Sequence, residues 1–405
     1  MRTKSLKGTN DYLPEQAALR EYIEQTILAC YRENGFRRIM TPAIEDIENL
    51  DKSDGGDNLN LIFKIMKRGE KLTKAMETGE NLCDMGLRYD LTLPLTRYFS
   101  ANRAKLELPF KCIQLDKVYR AEQPQKGRLR EFVQCDIDII GDNNPDCETE
   151  LITVTAKALG RLDIGAFTVK INDRKILNAL LLKCGFNKEQ LPSVCISFDK
   201  LDKIGVEGVV EELQTKEFDS AAIAEFQNVL AKLPLSLEDV SAIIGDELTG
   251  NLKTIIGNAQ ALADENYTIE FDISLVRGQG YYTGTVFEIK SDKFKGSVAG
   301  GGRYDNLIGK FVGENVAACG FSIGFERIFG ILSDMGRSVS SRQKIAYIYD
   351  DEYAAAYKRA ETLRGECEVS LFRRPKKMKG FLDKLAASGF AGFVNTSSED
   401  IEYFK

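Results

Sequence analysis

Two neighbouring stretches of this sequence bring an arginine, an amide and several carboxylates within reach of one another. From Pro109 the residues alternate with a period of two, so that Cys112, Gln114, Asp116, Val118, Arg120 and Glu122 share one face. After a polar loop, 123–130, Val133, Cys135, Ile137 and Ile139 alternate with Gln134, Asp136 and Asp138. Paired as a hairpin, the segments set Arg120 and Glu122 beside that polar row. Polar groups converging from neighbouring strands favour a binding surface over a plain solvent-facing sheet. The chain contains no histidine. Ser-His-Asp catalysis, Cys-His catalysis and imidazole metal sites are therefore excluded, and chemistry must run on carboxylates, arginines, tyrosines, backbone amides or bound ions.

The elements that would position these groups are readable in outline. Pro14 opens a segment in which Leu19, Ile23, Ile27 and Tyr31 recur at helical spacing, and Gly35 follows as a terminator. Residues 36–44 read as a strand broken by Pro42, which suits a sheet edge or an interface. Residues 175–265 look mostly helical, with Ile176, Leu180, Leu181 and Cys184 on one face and breaks near Gly205 and Gly245. Strand character returns at 267–275 and 281–289, and the Gly-rich turn Arg277-Gly278-Gln279-Gly280 between them predicts a hairpin. A glycine run, 299–302, precedes Arg303, and 319–332 reads as an apolar strand running into a helix with Glu326 and Arg327. A polar, serine-bearing stretch, 337–343, looks like a linker. Beyond it, strand, helix, strand, helix, strand implies a small α/β domain with a mainly parallel sheet.

At 405 residues, two or three domains are expected. Apolar residues make up 43% and charged residues 29%, which is ordinary globular usage. No stretch approaches the roughly 18 apolar residues of a membrane span, and no apolar segment follows Arg2, Lys4 and Lys7 as in a secretory signal, so a soluble cytoplasmic protein is expected. Nine cysteines without a C-x-x-C pair suit reduced core thiols. The net charge of −6 offers no global attraction to nucleic acid. Two local basic clusters remain: Lys64, Lys67, Arg68, Lys71 and Lys74, and Arg373, Arg374, Lys376, Lys377 and Lys379. Either is equally well explained as a solvated face.

Val118-Tyr119-Arg120-Ala121-Glu122 and the loop through Arg128 to Phe132 resemble motif 2 of class II aminoacyl-tRNA synthetases. Gly35 to Glu45 with Pro42 matches motif 1 loosely, and Gly324-Phe325-Glu326-Arg327 resembles motif 3. Leu275 to Glu288 and Ala299 to Leu307 resemble the two signature peptides of histidyl-tRNA synthetases, and Leu87 to Pro94 is similar to that family's amino-acid-binding loop. The resemblance runs from Gly8 to about Leu332. It implies an α+β fold: a class II core with a mixed, mainly antiparallel sheet flanked by helices. The core would comprise 1–174 and 266–336, with a helical insertion at 175–265 and a shortened anticodon-binding-like α/β domain at 344–405. The implied activity is ligation of L-histidine to tRNA(His) with ATP and Mg²⁺, by a homodimer, with no protein ligand to a metal assigned.

Carried over residue by residue, the resemblance implies that Asp90, Thr92 and Gln134 hold the substrate ammonium. Asp138 and Tyr282 would bond the imidazole, with Tyr281 and Tyr304 as pocket wall; a carboxylate on one ring nitrogen and a phenol on the other reads both polar atoms. Arg120 and Arg277 would flank the α-phosphate as the catalytic pair, Glu122 the adenine, and Arg128 and Arg327 the outer phosphates. Gln123 and Gln125 would meet the tRNA acceptor end. Gly280 departs from the family pattern, in which an aspartate commonly precedes the tyrosine pair, and Gln123 stands where bacterial members often carry a base. Two other readings share the resemblance: a synthetase-like regulatory subunit of a short ATP phosphoribosyltransferase, and an adenylate former serving something other than tRNA. Such regulators lose catalytic residues, whereas Arg120, Glu122, Arg277 and Arg327 are all present here.

Overall fold

A computed structural model describes residues 3–51, 60–124, 128–263, 267–277, 281–339, 342–350, 352–396 and 400–404. The chain divides into two compact units, Met1–Arg337 and Ser338–Lys405, within the polar stretch read as a linker. In the first unit, α1 (Pro14–Glu33) starts with proline at a position where its missing N–H costs nothing and buries Leu19, Ile23, Ile27 and Tyr31. Gly35, at φ 85°, takes the left-handed conformation that ends it.

The predicted strand at 36–44 is split. Only β1 (Arg37–Arg38) joins the large sheet, as a parallel edge strand against β5 (Phe110–Tyr119). Past Pro42, which has no N–H to continue a ladder, the chain enters a separate small sheet. That sheet has the order β2-β4-β3, formed by β2 (Ile44–Asp46), β3 (Lys64–Met66) and β4 (Cys83–Leu87), with helices α2 (Ile47–Asp51) and α3 (Glu70–Thr78) between its strands. Helix α4 (Thr92–Asn102) follows and leads into β5.

The large sheet has eight strands in the order β1-β5-β6-β11-β10-β9-β7-β8. β6 (Glu131–Ile140) pairs antiparallel with β5, putting Gln134 opposite Asp116, Asp136 opposite Gln114 and Asp138 opposite Cys112. The alternation read in this hairpin is realised: Cys135, Ile137 and Ile139 are core, and the intervening polar residues face the other way. Helix α5 (Asp146–Leu162) is buried over most of its circumference, with Asp146, Lys157 and Arg161 on its exposed side. After β7 (Phe167–Asp173) come helices α6 (Arg174–Lys183) to α11 (Asp246–Leu262); Gly205 at φ 69° and Gly245 at φ 99° interrupt them where breaks were read.

The predicted hairpin between 267–275 and 281–289 does not form. β8 (Tyr267–Phe271) and β9 (Thr285–Ser291) both pair with β7, which lies between them. Of the residues read as strand, 267–271 and 285–289 are strand and 272–275 and 281–284 are not, and β8 runs parallel to β7, a pairing that leaves no local turn signal. The glycine run forms β10 (Ser297–Arg303), followed by α12 (Asp305–Val312), β11 (Ala318–Gly324) and α13 (Phe325–Asp334). In the second unit, β12 (Lys344–Tyr349), α14 (Tyr353–Leu363), β13 (Glu368–Arg373), α15 (Met378–Ala387) and β14 (Gly392–Asn395) follow in the order read. Its sheet, β13-β12-β14-β15, is parallel except for the edge strand β15 (Glu402–Tyr403).

Candidate active site

A cavity of about 1090 Å³ lies over β6, β11 and β10. Of the residues named from sequence, Thr92, Arg120, Glu122, Arg128, Gln134, Asp138, Arg277, Tyr281, Tyr282, Tyr304 and Arg327 all line it. Asp90 is buried just before α4, within electrostatic reach of Arg120. Gln123 is exposed beyond the end of β5, and Gln125, like Gly280, lies outside the described residues.

One end of the cavity is acidic. Asp136 and Asp138 are buried on β6, and β11 opposes them with Ser322 and Gly320. Glycine at 320 is forced by space: a Cβ there would stand 2.0 Å from Asp138 Oδ1. The Tyr304 hydroxyl donates to that oxygen at 2.6 Å, so this tyrosine, read as pocket wall, orients the carboxylate. Burial raises the Asp138 carboxyl well above the usual range, and neighbouring Asp136 adds to it. Burial likewise pushes Asp90 up to about 6 and Asp136 to about 7. Gln134 Nε2 donates to Asp136 at 3.2 Å, while its buried Oε1 has no partner among the described residues. An orphan acceptor beside three crowded carboxylates is a receptor for a ligand rich in N–H donors and positive charge.

Asp136 was not assigned a role from sequence, although it shares its face with Gln134 and Asp138; its lone signal was that periodicity. Its crowding is testable without ligand. A carboxyl whose folded pKa is raised contributes stability that is fully present below its unfolded pKa, near 3.9, and is lost as pH rises through about 7. Asp136→Asn is therefore expected to be more stable than wild type at pH 8 by about 1 kcal/mol or more, the advantage vanishing towards pH 4. Urea unfolding at several pH values reads it; a pH-independent difference would remove the crowded-carboxylate account.

The other end is cationic. Arg120 Nε donates to Tyr89 O at 3.0 Å and its guanidinium stands 5.1 Å from the Phe132 ring centroid. Buried Arg88 ties the same region together, with Nε on Lys117 O at 2.9 Å, Nη1 on Thr41 O at 2.7 Å and Asp116 at 2.9 Å. Arg277 pairs with Glu288 at 3.1 Å, and Arg128 with Glu122 at 3.4 Å. Arg327 donates to Ser297 O and, at 3.2 Å, to Ser297 Oγ. Burial lowers its pKa, and Arg277, Arg128 and Arg120 lower it further. Like charges held this close await an anion.

Sequence reasoning also missed the support beneath Arg327. Its neighbour Glu326 accepts from Arg20 Nη1 at 2.6 Å and Nη2 at 2.8 Å, and from Val133 N at 3.2 Å, locking α13 to α1 and β6. Arg303 and Glu148 form a buried bidentate pair at 2.7 Å that fixes the far end of β10 to α5. Such supports are long-range, and nothing in local spacing marks them. Among the described residues no group of three or more His, Cys, Asp and Glu side chains could hold a metal ion.

The geometry, acceptors for a cationic N–H donor at one end and arginines for a polyanion at the other, agrees with the comparisons. A histidine--tRNA ligase of Leifsonia xyli subsp. xyli is 42% identical over 409 residues, covering 96% of this chain and 94% of the relative. By structure, a histidyl-tRNA synthetase from Nostoc sp. PCC 7120 superposes with a TM-score of 0.81 at 24% identity, over 98% of this chain and 92% of that one. A protein from Bacillus halodurans C described as an ATP phosphoribosyltransferase regulatory subunit/histidyl-tRNA synthetase gives 0.79 at 21%, over 98% of both chains. At these identities the structural likenesses show the fold alone: a class II synthetase core. The sequence profile of histidyl-tRNA synthetases matches residues 8–328, the span that carries most of the cavity wall, and with the relative from Leifsonia xyli it shows that the chain belongs to the histidyl-tRNA synthetase family.

Proposed function

We propose that this chain activates L-histidine with ATP to histidyl-adenylate and pyrophosphate, then transfers histidine to the 3′ end of tRNA(His). The observation that carries the reading is the bipolar cavity: Asp136, Asp138 and Gln134 Oε1 at one end, with Asp90 buried beside them, and Arg120, Arg277 and Arg327 at the other. Asp90, Thr92 and Gln134 receive the ammonium; Asp138, held by Tyr304, and Tyr282 receive the imidazole, with Tyr281 between the two rings at 4.9 Å and 6.1 Å. The histidine carboxylate then points towards the arginines, where it attacks the α-phosphorus in line while Arg120 and Arg277 neutralise the equatorial oxygens and pyrophosphate leaves towards Arg128 and Arg327. Glu122 is placed to accept from the adenine amino group, and Mg²⁺ arrives with the nucleotide. Gln123 and Gln125 are assigned to the acceptor stem.

Histidine-dependent ATP–pyrophosphate exchange tests the first half; an absence of exchange would favour a regulatory subunit. Charging of purified tRNA tests the second, and exchange without charging would indicate an adenylate former for another acceptor. The regulatory reading shares the fold, but Arg120, Glu122, Arg277 and Arg327 are all retained.

The active form is proposed to be a homodimer. Met40, Ile44, Met66 and Met85 are exposed on or beside the small β2-β4-β3 sheet, apolar side chains that a subunit interface would cover. Ile44→Glu with Met66→Glu is expected to shift the sedimentation coefficient from dimer to monomer at micromolar concentration. An unchanged coefficient would move the interface elsewhere. All nine cysteines are free thiols and no described helix is long and apolar enough to cross a membrane, which supports a cytoplasmic location.

A further inference from the structure

We propose that the turn joining β9 and β10 is a docking platform for the single-stranded 3′ end of the tRNA, Phe294 stacking on an unpaired base and Lys293 and Lys295 meeting backbone phosphates. The proposal rests on the ligase reading above and goes beyond the residues that reading uses.

Ser291 builds the turn: its carbonyl accepts from Phe294 N at 3.2 Å and its hydroxyl from Lys293 N at 3.3 Å. A register shift between Ser297 and Ala299 follows at once, the kind of bulge that re-aims a strand end next to a site. As a result Lys293, Phe294 and Lys295 all line the cavity, on the side of Arg327, whose guanidinium stands 5.7 Å from the Phe294 ring centroid. Phe294 is half-buried and both lysines are exposed, with no ion pair for either ammonium among the described residues.

Charge decides between nucleotide and RNA as the occupant. Arg120, Arg128, Arg277 and Arg327, less Glu122 and Glu288, leave about two positive charges, which an ATP carrying one Mg²⁺ already balances. Lys293 and Lys295 are additional, with Asp292 in the turn itself and Asp334 on the rim against them. An aromatic ring flanked by two unpaired lysines at the mouth is the pattern with which proteins hold single strands: stacking is indifferent to base identity, and cations follow the backbone.

The test separates the two half-reactions in the full chain. For Lys293→Gln/Lys295→Gln, exchange without tRNA should stay within about twofold of wild type. The tRNA concentration that half-saturates single-turnover transfer from preformed adenylate should rise about tenfold, and its log–log salt slope should fall by roughly 1.4, about 0.7 per lost contact. Phe294→Leu should raise the same concentration by about tenfold with the salt slope unchanged, losing far less in exchange, and Phe294→Tyr should restore it. A parallel loss of exchange in the lysine variant would assign the turn to the nucleotide, and unchanged transfer would make it a solvated loop; either overturns the proposal. Wild type without exchange would instead sink the ligase reading, and equilibrium binding of the same tRNA to wild type and variants would still judge the platform.

Discussion

Arg277→Lys is expected to slow histidyl-adenylate formation by a factor on the order of 10² or more at saturating substrates, while the dissociation constants of histidine and ATP move much less. Arg277 sits at φ 62°, a conformation that side chains other than glycine rarely adopt and that costs on the order of 1 kcal/mol. Its guanidinium lies flat against the backbone of Gly300, where a Cβ would come within 2.2 Å. Glu288 holds Nη1 at 3.1 Å, and the buried Nε–H has no acceptor among the described residues. A donor left unpaired in a site already assembled is poised for charge that appears only during reaction. Lysine keeps the charge but has one ammonium, which cannot hold Glu288 and follow the equatorial oxygens together. Rapid-quench measurement of adenylate formation distinguishes the roles. A near-normal rate, or a loss confined to substrate affinity, would show Arg277 to be a ground-state contact.

What the sequence showed of this site depended on whether the cause was local. The row Gln134, Asp136, Asp138 was legible because a strand alternates sides, and its neighbour β5 precedes it across a short loop. The glycine run was visible but not its strand, since glycine is poor in sheets and its purpose lies across the ladder. Gly300 makes room for Arg277, and a Cβ on Gly302 would stand 2.9 Å from the Tyr282 ring. β8 was paired wrongly because its partner β7 lies about a hundred residues earlier, Phe167 facing Tyr267. Arg20 with Glu326, and Tyr304 with Asp138, meet only after folding. The family resemblance named most of the residues that line the cavity; long-range packing decides who holds whom, and so Tyr304 orients a carboxylate where the resemblance had placed only a wall.

That contact sharpens the expectation for Asp138→Ala, which should weaken histidine binding by about 2 kcal/mol or more, some thirtyfold, with ATP affinity little changed. Asp138 is buried, and its Oδ1 accepts from Tyr304 at 2.6 Å. The same carboxylate is available to one ring N–H of imidazole, and without it both that N–H and the Tyr304 hydroxyl are left unpaired in a closed pocket. The nucleotide end is untouched, because Gly324, opposite Gln134, lies four residues along β11 from Gly320, and Arg327 lies beyond it on α13. Tyr304→Phe separates the two functions of the pair: it keeps the carboxylate but frees it to rotate, and should cost histidine binding only about fivefold, near 1 kcal/mol, because the bond it removes is already made in the unliganded site. Calorimetric titration of histidine and of ATP into each variant gives both numbers. Equal losses for the two ligands would place Asp138 in the framework of the sheet, and a Tyr304→Phe loss as large as that of Asp138→Ala would make the tyrosine the imidazole's direct partner.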